Sequence, residues 1–163
     1  RVLGIGYPGG APMDRLSRGG DDQKYSFPSV HVHDAPMDMS FSGLKTAAIN
    51  LIHNAQQKGE ELDRSSLAAS VAAAISEELV PRAMEAARRC GRKTLVAAGG
   101  VAANKRIRGD LERACRENGL KLYLPPLSLC GDNGAMIGSQ AYYEYQAGNR
   151  GNWDLNAYAN LEI

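Results

Sequence analysis

Apolar residues recur every three or four positions in two stretches of the first half of the chain. The spacing predicts one amphipathic helix up to about Lys58 and a longer one over 65–90. Pro81 lies inside the longer helix and would bend or break it, and Gly91 would end it. Its cap is one of three polar residues, Asp63, Ser65 and Ser66.

The second half alternates short apolar runs with helical patterns, which predicts an α/β fold with parallel strands. The predicted elements are, in order, a strand at Thr94–Ala98, a helix over 102–118, a strand at Leu120–Leu124 and a helix over 133–147. We expect Leu95, Val96 and Ala97 to form a buried central strand flanked by helices 65–90 and 102–118. Residues 1–90 are therefore a helix-rich portion, and residues 91–163 a strand-helix portion.

Composition narrows the class of protein only modestly. The 163 residues have a formal net charge of +1, so the chain as a whole does not indicate nucleic-acid binding. The 3 cysteines form no CxxC pair, which favours a reducing compartment, and no apolar run reaches membrane-spanning length. Because the chain starts at Arg1, inside what resembles a helix end, we expect it to be a fragment.

Two turns between a predicted strand or loop and a helix carry candidate site residues. Gly99 and Gly100 let a backbone approach a ligand closely, and Asn104 follows one turn later. Asp132 is a hard oxygen donor ahead of an apolar helix, which suits a metal ligand. Both sites have structural alternatives: Asp132 would merely cap its helix, and Asn104 would be a cap or a surface residue.

Other candidate groups carry weaker signals. His31 and His33 share one face of a predicted edge strand, but no neighbouring residues complete a metal site. Cys130 is interpreted as a packing residue. Two basic clusters favour solvated helix faces over a nucleic-acid surface. Their members are Arg88, Arg89, Arg92 and Lys93 in one, and Lys105, Arg106, Arg108, Arg113 and Arg116 in the other.

Four motifs together resemble one known family in order and spacing. They are Tyr7-Pro8-Gly9-Gly10, Ser40-Phe41-Ser42-Gly43-Leu44-Lys45-Thr46-Ala47, Gly99-Gly100-Val101-Ala102-Ala103-Asn104 and Cys130-Gly131-Asp132-Asn133-Gly134-Ala135-Met136-Ile137. The resemblance is to the C-terminal half of the tRNA N6-adenosine threonylcarbamoyltransferases, formerly called O-sialoglycoprotein endopeptidases or the glycoprotease family. The sequence departs from the family pattern at Gly131, where the family frequently has Thr, and at Gly138, where Ala is usual.

The resemblance implies one lobe of an actin-like ATPase fold (ASKHA, ribonuclease H-like), three-layered with flanking helices. Residues 1–163 would form the C-terminal lobe of a two-lobed protein whose N-terminal lobe is absent. The family transfers threonylcarbamoyl from threonylcarbamoyl-adenylate to N6 of the anticodon-adjacent adenosine, in tRNAs that read codons beginning with A. Asp132 would be one ligand of an iron or zinc ion, and Asn104, Gly4, Gly99 and Gly100 would bind substrate. No catalytic residue is assigned.

The family's two metal-binding histidines belong to its N-terminal half, so the fragment alone is expected to hold no metal and to be inactive. The resemblance implies tRNA, the adenylate, a homologous inactive subunit and an ATPase subunit of a bacterial complex as partners. It also implies that the protein is located in the cytoplasm and has no membrane partner. Alternatives are an ATP-dependent small-molecule kinase of the same fold, a non-enzymatic homologous scaffold, and the older metalloendopeptidase label.

Overall fold

A computed structural model describes residues 3–29 and 35–157 of the chain. The described part contains five α-helices and two strands, with short 3₁₀ turns at Gly100–Ala103 and Leu127–Leu129. In chain order the elements are α1 (Gly10–Ser17), α2 (Ser42–Lys58), α3 (Arg64–Arg89), β1 (Thr94–Val96), α4 (Lys105–Glu117), β2 (Lys121–Tyr123) and α5 (Gly134–Gln146). The predicted mixed α/β class is therefore confirmed. The predicted edge strand with His31 and His33 falls largely outside the described residues.

The chain divides between Cys130 and Gly131 into two compact units. The first unit holds α1 to α4 and both strands, and the second holds α5. None of the helices in the described part is both long and apolar enough to cross a membrane.

Helix α3 is the longest element and its limits follow from local chemistry. The Asp63 carboxylate accepts hydrogen bonds from the backbone N–H groups of Ser65 and Ser66, so Asp63 is the cap among the three candidates. Pro81 lies inside the helix without ending it. Gly91 adopts a φ of +59°, and the N–H of the next residue returns to the helix, which closes the predicted C-terminus.

The core of the first unit lies between α3, α4 and one face of the sheet. Val80, Ile107 and Leu111 are buried there, and Leu95 and Leu122 pack against them from the strands. The two strands are parallel, with Leu95 opposite Leu122. Packing of the sheet against the two helices is what the strand-helix-strand pattern predicts.

The prediction of a fully buried central strand is wrong. Val96 is 68% exposed and its partner in register, Tyr123, is 48% exposed, while Leu95 and Ala97 are half-buried. Alternate side chains of a strand point to opposite faces, and α3 and α4 cover only one of them. An apolar run in the sequence does not say whether a second layer covers the other face.

Candidate functional site

The turn after β1 presents backbone and one amide side chain at the carboxyl end of the strand. Gly99 has a φ of +89°, which a side chain would strain, and the 3₁₀ turn Gly100–Ala103 follows it directly. Asn104 then caps α4, with its Oδ1 accepting a hydrogen bond from the N–H of Ile107 at 3.1 Å. The helix therefore begins at Lys105, not at residue 102 as predicted, because Asn104 sets its start.

The capping role leaves half of the Asn104 amide unused. Its Nδ2 donates no hydrogen bond to any part of the chain that the structure describes. Asn104 therefore caps α4, as one of its two interpretations from the sequence predicted. It also keeps an N–H donor that is available to a ligand. The two roles are compatible, because the oxygen and the nitrogen of one side-chain amide can serve one each.

An apolar cavity with a volume of about 920 Å³ opens beside this turn. Gly100 and Asn104 contribute to its wall, with Met13 of α1 and Ile75 and Leu79 of α3. Helix α1 is joined to the start of α4 because the carboxylate of Asp14 accepts a hydrogen bond from the backbone N–H of Lys105 at 2.7 Å. The cavity combines a large apolar wall with few polar groups, as small-molecule sites do.

The structure places Gly4 apart from that cavity wall. Gly4 has a φ of +67°, and the guanidinium of Arg64 donates a hydrogen bond to the carbonyl of Leu3 beside it. Of the four glycine and asparagine positions predicted to bind substrate, Gly100 and Asn104 line the cavity, and Gly99 immediately precedes them.

Asp132 lies in the second unit, directly before α5. The cap of α5 is Asn133, whose Oδ1 accepts from the N–H of Met136 at 3.0 Å and whose Nδ2 donates to the carbonyl of Gly131 at 2.9 Å. The alternative in which Asp132 caps the helix is therefore wrong by one residue. The exposed carboxylate of Asp132 makes no hydrogen bond or ion pair with any other described residue.

The described residues contain no group of three or more His, Cys, Asp and Glu side chains that could hold a metal ion. That Asp132 ligates a metal stays a prediction, and an exposed, unpaired carboxylate has suitable chemistry for that role. The thiol of Cys130 is 2% exposed, which agrees with the packing role predicted from the sequence. His31 and His33 lie outside the described residues.

A buried carboxylate with three side-chain donors was not predicted from the sequence. Asp110 is 8% exposed, and its carboxylate accepts hydrogen bonds at 2.6 Å each from Ser76 Oγ, Arg106 Nε and Arg113 Nη2. Burial acts to raise the pKa of Asp110, but the hydrogen bonds from Ser76 and Arg106 outweigh it and the pKa is lowered. Arg106 also pairs with Asp22. The spacing of 106, 110 and 113 was the available signal.

The basic residues that the sequence assigned to solvated helix faces fall into two groups, exposed and bonded to other parts of the chain. Arg88 and Arg89 both pair with Glu85 at 2.7 Å and are largely exposed, as that interpretation predicts. Arg106 is instead joined to the Asp110 network. Arg108 bonds to three groups of neighbouring loops, which is inconsistent with a freely solvated side chain.

Fold and candidate site together define a mixed α/β protein whose candidate ligand groups lie where chain turns lead into capped helices. The family model described as TsaD, tRNA N6-adenosine threonylcarbamoyltransferase, matches residues 1–139. The chain belongs to this family.

Curated relatives agree with the family match. Proteins named tRNA N6-adenosine threonylcarbamoyltransferase from Clostridium botulinum (strain 657 / Type Ba4), Staphylococcus carnosus and Moorella thermoacetica are 41%, 42% and 42% identical to it, each over 100% of this chain. The match covers 48%, 47% and 48% of those relatives. The chain thus spans about half the length of the curated relatives that it matches, and it corresponds to their C-terminal half.

Proposed function

We propose that this chain forms the C-terminal lobe of a tRNA N6-adenosine threonylcarbamoyltransferase with an actin-like fold. The complete enzyme would move the threonylcarbamoyl group from threonylcarbamoyl-adenylate to N6 of the adenosine beside the anticodon. Its tRNA substrates would be those that read codons beginning with A. Family membership supports the reaction, and the unpaired carboxylate of Asp132 is the structural observation that carries the site assignment.

Asp132 would be the one metal ligand that this chain supplies, with further ligands from the N-terminal half of the protein. Iron or zinc at that position would polarise the carbamoyl or phosphate oxygens of the adenylate. The assignment is supported by the start of α5, where Asn133 and not Asp132 caps the helix. Because Asn133 satisfies the helix N-terminus, Asp132 is not required as a cap and its oxygens are available.

The turn after β1 would hold the adenylate. The Nδ2 of Asn104 would donate to a ribose or phosphate oxygen, and Gly99 and Gly100 would let backbone groups approach the ligand. Gly4 would offer a further stretch of backbone, as the resemblance implies. The exocyclic amine of adenosine is a weak nucleophile because its lone pair is delocalised into the ring. Positioning of both substrates must therefore supply much of the rate.

The proposal extends to the setting of the reaction. An enzyme that modifies tRNA in bacteria would act in the cytoplasm. A homologous inactive subunit and an ATPase subunit of a bacterial complex would be its protein partners, as the resemblance implies.

The test uses a complete protein in which this chain follows the N-terminal half of the Clostridium botulinum relative. Asp132→Ala should lower threonylcarbamoyl transfer roughly 100-fold or more, because a lost metal carboxylate removes several kcal/mol of electrophilic stabilisation. Transfer is measured by mass spectrometry of the nucleosides from a matching tRNA, and bound iron and zinc by elemental analysis of the same samples.

The matched control is Asp154→Ala, which removes another exposed aspartate of the second unit that has no bonded partner in the described chain. It should retain wild-type transfer and wild-type metal content. Thermal melting of both variants checks that they are folded. A folded Asp132→Ala protein with full activity and full metal content would refute the assignment.

A further inference from the structure

Arg108 of α4 joins two loops of the first unit that lie far apart in sequence. Its Nη1 donates to the carbonyl of Ala102 at 2.9 Å, inside the turn between Gly99 and Asn104. Its Nη2 donates to the carbonyl of Pro125 at 3.1 Å, in the loop after β2. Those two carbonyls belong to segments separated by a helix and a strand, and one planar guanidinium holds both.

A third contact secures the end of the second loop. The Nη1 of Arg108 lies 3.7 Å from the Sγ of Cys130, and the same thiol lies 3.6 Å from the carbonyl of Pro126. Cys130 is 2% exposed although its neighbours Leu129 and Gly131 are exposed. Arg108 is therefore one of the groups that lie against this buried thiol.

The geometry of the guanidinium explains why arginine stands at this position. Arginine donates in several fixed directions at once, whereas the ammonium of lysine is a compact point charge. Charge-assisted hydrogen bonds to carbonyls are stronger than neutral ones. No acidic group of the described chain pairs with Arg108. Its guanidinium bonds to the two loop carbonyls and lies against the thiol of Cys130.

We infer that Arg108 is a positioning residue that fixes the Gly99–Asn104 turn against the Pro125–Cys130 loop, and that adenylate binding by Asn104 depends on this arrangement. The kinetic consequence rests on the proposed function, whereas the structural link between the loops does not. Arg108 itself would not contact substrate.

The reactivity of Cys130 tests the link in the 163-residue chain. In a Cys90→Ser background, which removes the exposed thiol, Arg108→Met should speed modification of Cys130 by DTNB roughly tenfold or more, because two charged hydrogen bonds are lost. Arg108→Lys should also speed it, although the charge is retained. Peptide mapping separates Cys130 from Cys115, the other buried thiol.

Two controls make the result specific. Arg116→Met removes an exposed arginine of the same helix that has no side-chain partner in the described chain, and it should leave both thiols at their original rates. Cys115 should keep its rate in Arg108→Met. An unchanged Cys130 rate in folded Arg108→Met would overturn the inference, and so would equal acceleration of both thiols, which indicates general loosening.

Enzyme kinetics test whether adenylate binding depends on Arg108. They use the complete protein in which this chain follows the N-terminal half of the Clostridium botulinum relative. Arg108→Met should raise KM for threonylcarbamoyl-adenylate about tenfold while kcat changes less, because ground-state positioning is lost. Arg116→Met should change neither value. An unchanged KM in Arg108→Met overturns the dependence of adenylate binding on Arg108. Failure of the proposed function is distinguishable, because the Cys130 rate in the 163-residue chain reports the link between the loops whether or not the complete protein transfers threonylcarbamoyl.

Discussion

Removal of the Asp110 carboxylate should destabilise the first unit by about 3 kcal/mol, the lower end of the range for breaking a buried ion pair. The substitution Asp110→Asn keeps the shape of the side chain but places an amide donor where three donors now converge. The single amide oxygen can replace only one of the two carboxylate oxygens, so either Arg113 or both Arg106 and Ser76, which is 1% exposed, would lose the acceptor. The lower end applies because Arg106 and Arg113 are 31% and 60% exposed, so water can solvate them in part.

Urea and thermal unfolding of the chain measure this effect. A loss of about 3 kcal/mol corresponds to a fall in Tm of roughly 6–12 °C for a protein of this size. Glu112→Gln is the matched control, because Glu112 is exposed on the same helix and has no side-chain partner in the described chain. A stability of Asp110→Asn within about 0.5 kcal/mol of wild type would refute the reasoning.

The dependence on pH gives a second check on Asp110. Its pKa in the folded chain lies below the ordinary value of 3.8, so its ionised form stabilises the fold. That contribution is fully present above the unfolded-state pKa and is lost as pH falls through the lower folded-state pKa. The stability difference between wild type and Asp110→Asn should therefore be constant near neutral pH and shrink below 3.8. A difference that grows on acidification would contradict this sign.

Substitutions at Gly20 and at Asn104 test local geometry. Gly20→Ala should cost about 1–3 kcal/mol or more in thermal melts, because its Cβ would overlap the backbone of Ser65, whereas Gly19→Ala, which meets only the Ser65 hydroxyl at 3.9 Å, should be nearly neutral. Asn104→Ala should lose about 1 kcal/mol of stability with the cap and roughly 1–3 kcal/mol of adenylate binding. Asn104→Asp should keep the cap and lose the binding; if calorimetry shows adenylate bound normally by Asn104→Asp, the Nδ2 donor has no role.

The elements were predictable where a local signal defines them. The end of α3 at Gly91 follows from a residue whose backbone preference acts within one turn. Pro81 was ambiguous, because tertiary packing of α3 against α4 decides whether a helix continues through a proline. Sequence alone does not contain that packing.

The site was predictable in its residue types but not in its assignments. Asp132 and Asn133 are adjacent residues of similar capping strength, and only the structure shows that Asn133 takes the cap. The bonds of Arg108 to Pro125 and of Asp110 to Ser76 gave no motif, because these partners lie 17 and 34 residues away. Long-range polar bonds depend on the fold and leave no periodic signal in the sequence.

The exposed face of the small sheet has a consequence for handling the chain. Val96 and Tyr123 stand side by side in register, and within residues 3–29 and 35–157 the sheet has two strands, so each strand has an edge without a partner. Unpaired N–H and C=O groups beside exposed apolar side chains make a template for another strand. A strand from a second chain would find a partner at this sheet, and a charged residue in place of Val96 is the substitution that would oppose such pairing while leaving α3 and α4 untouched.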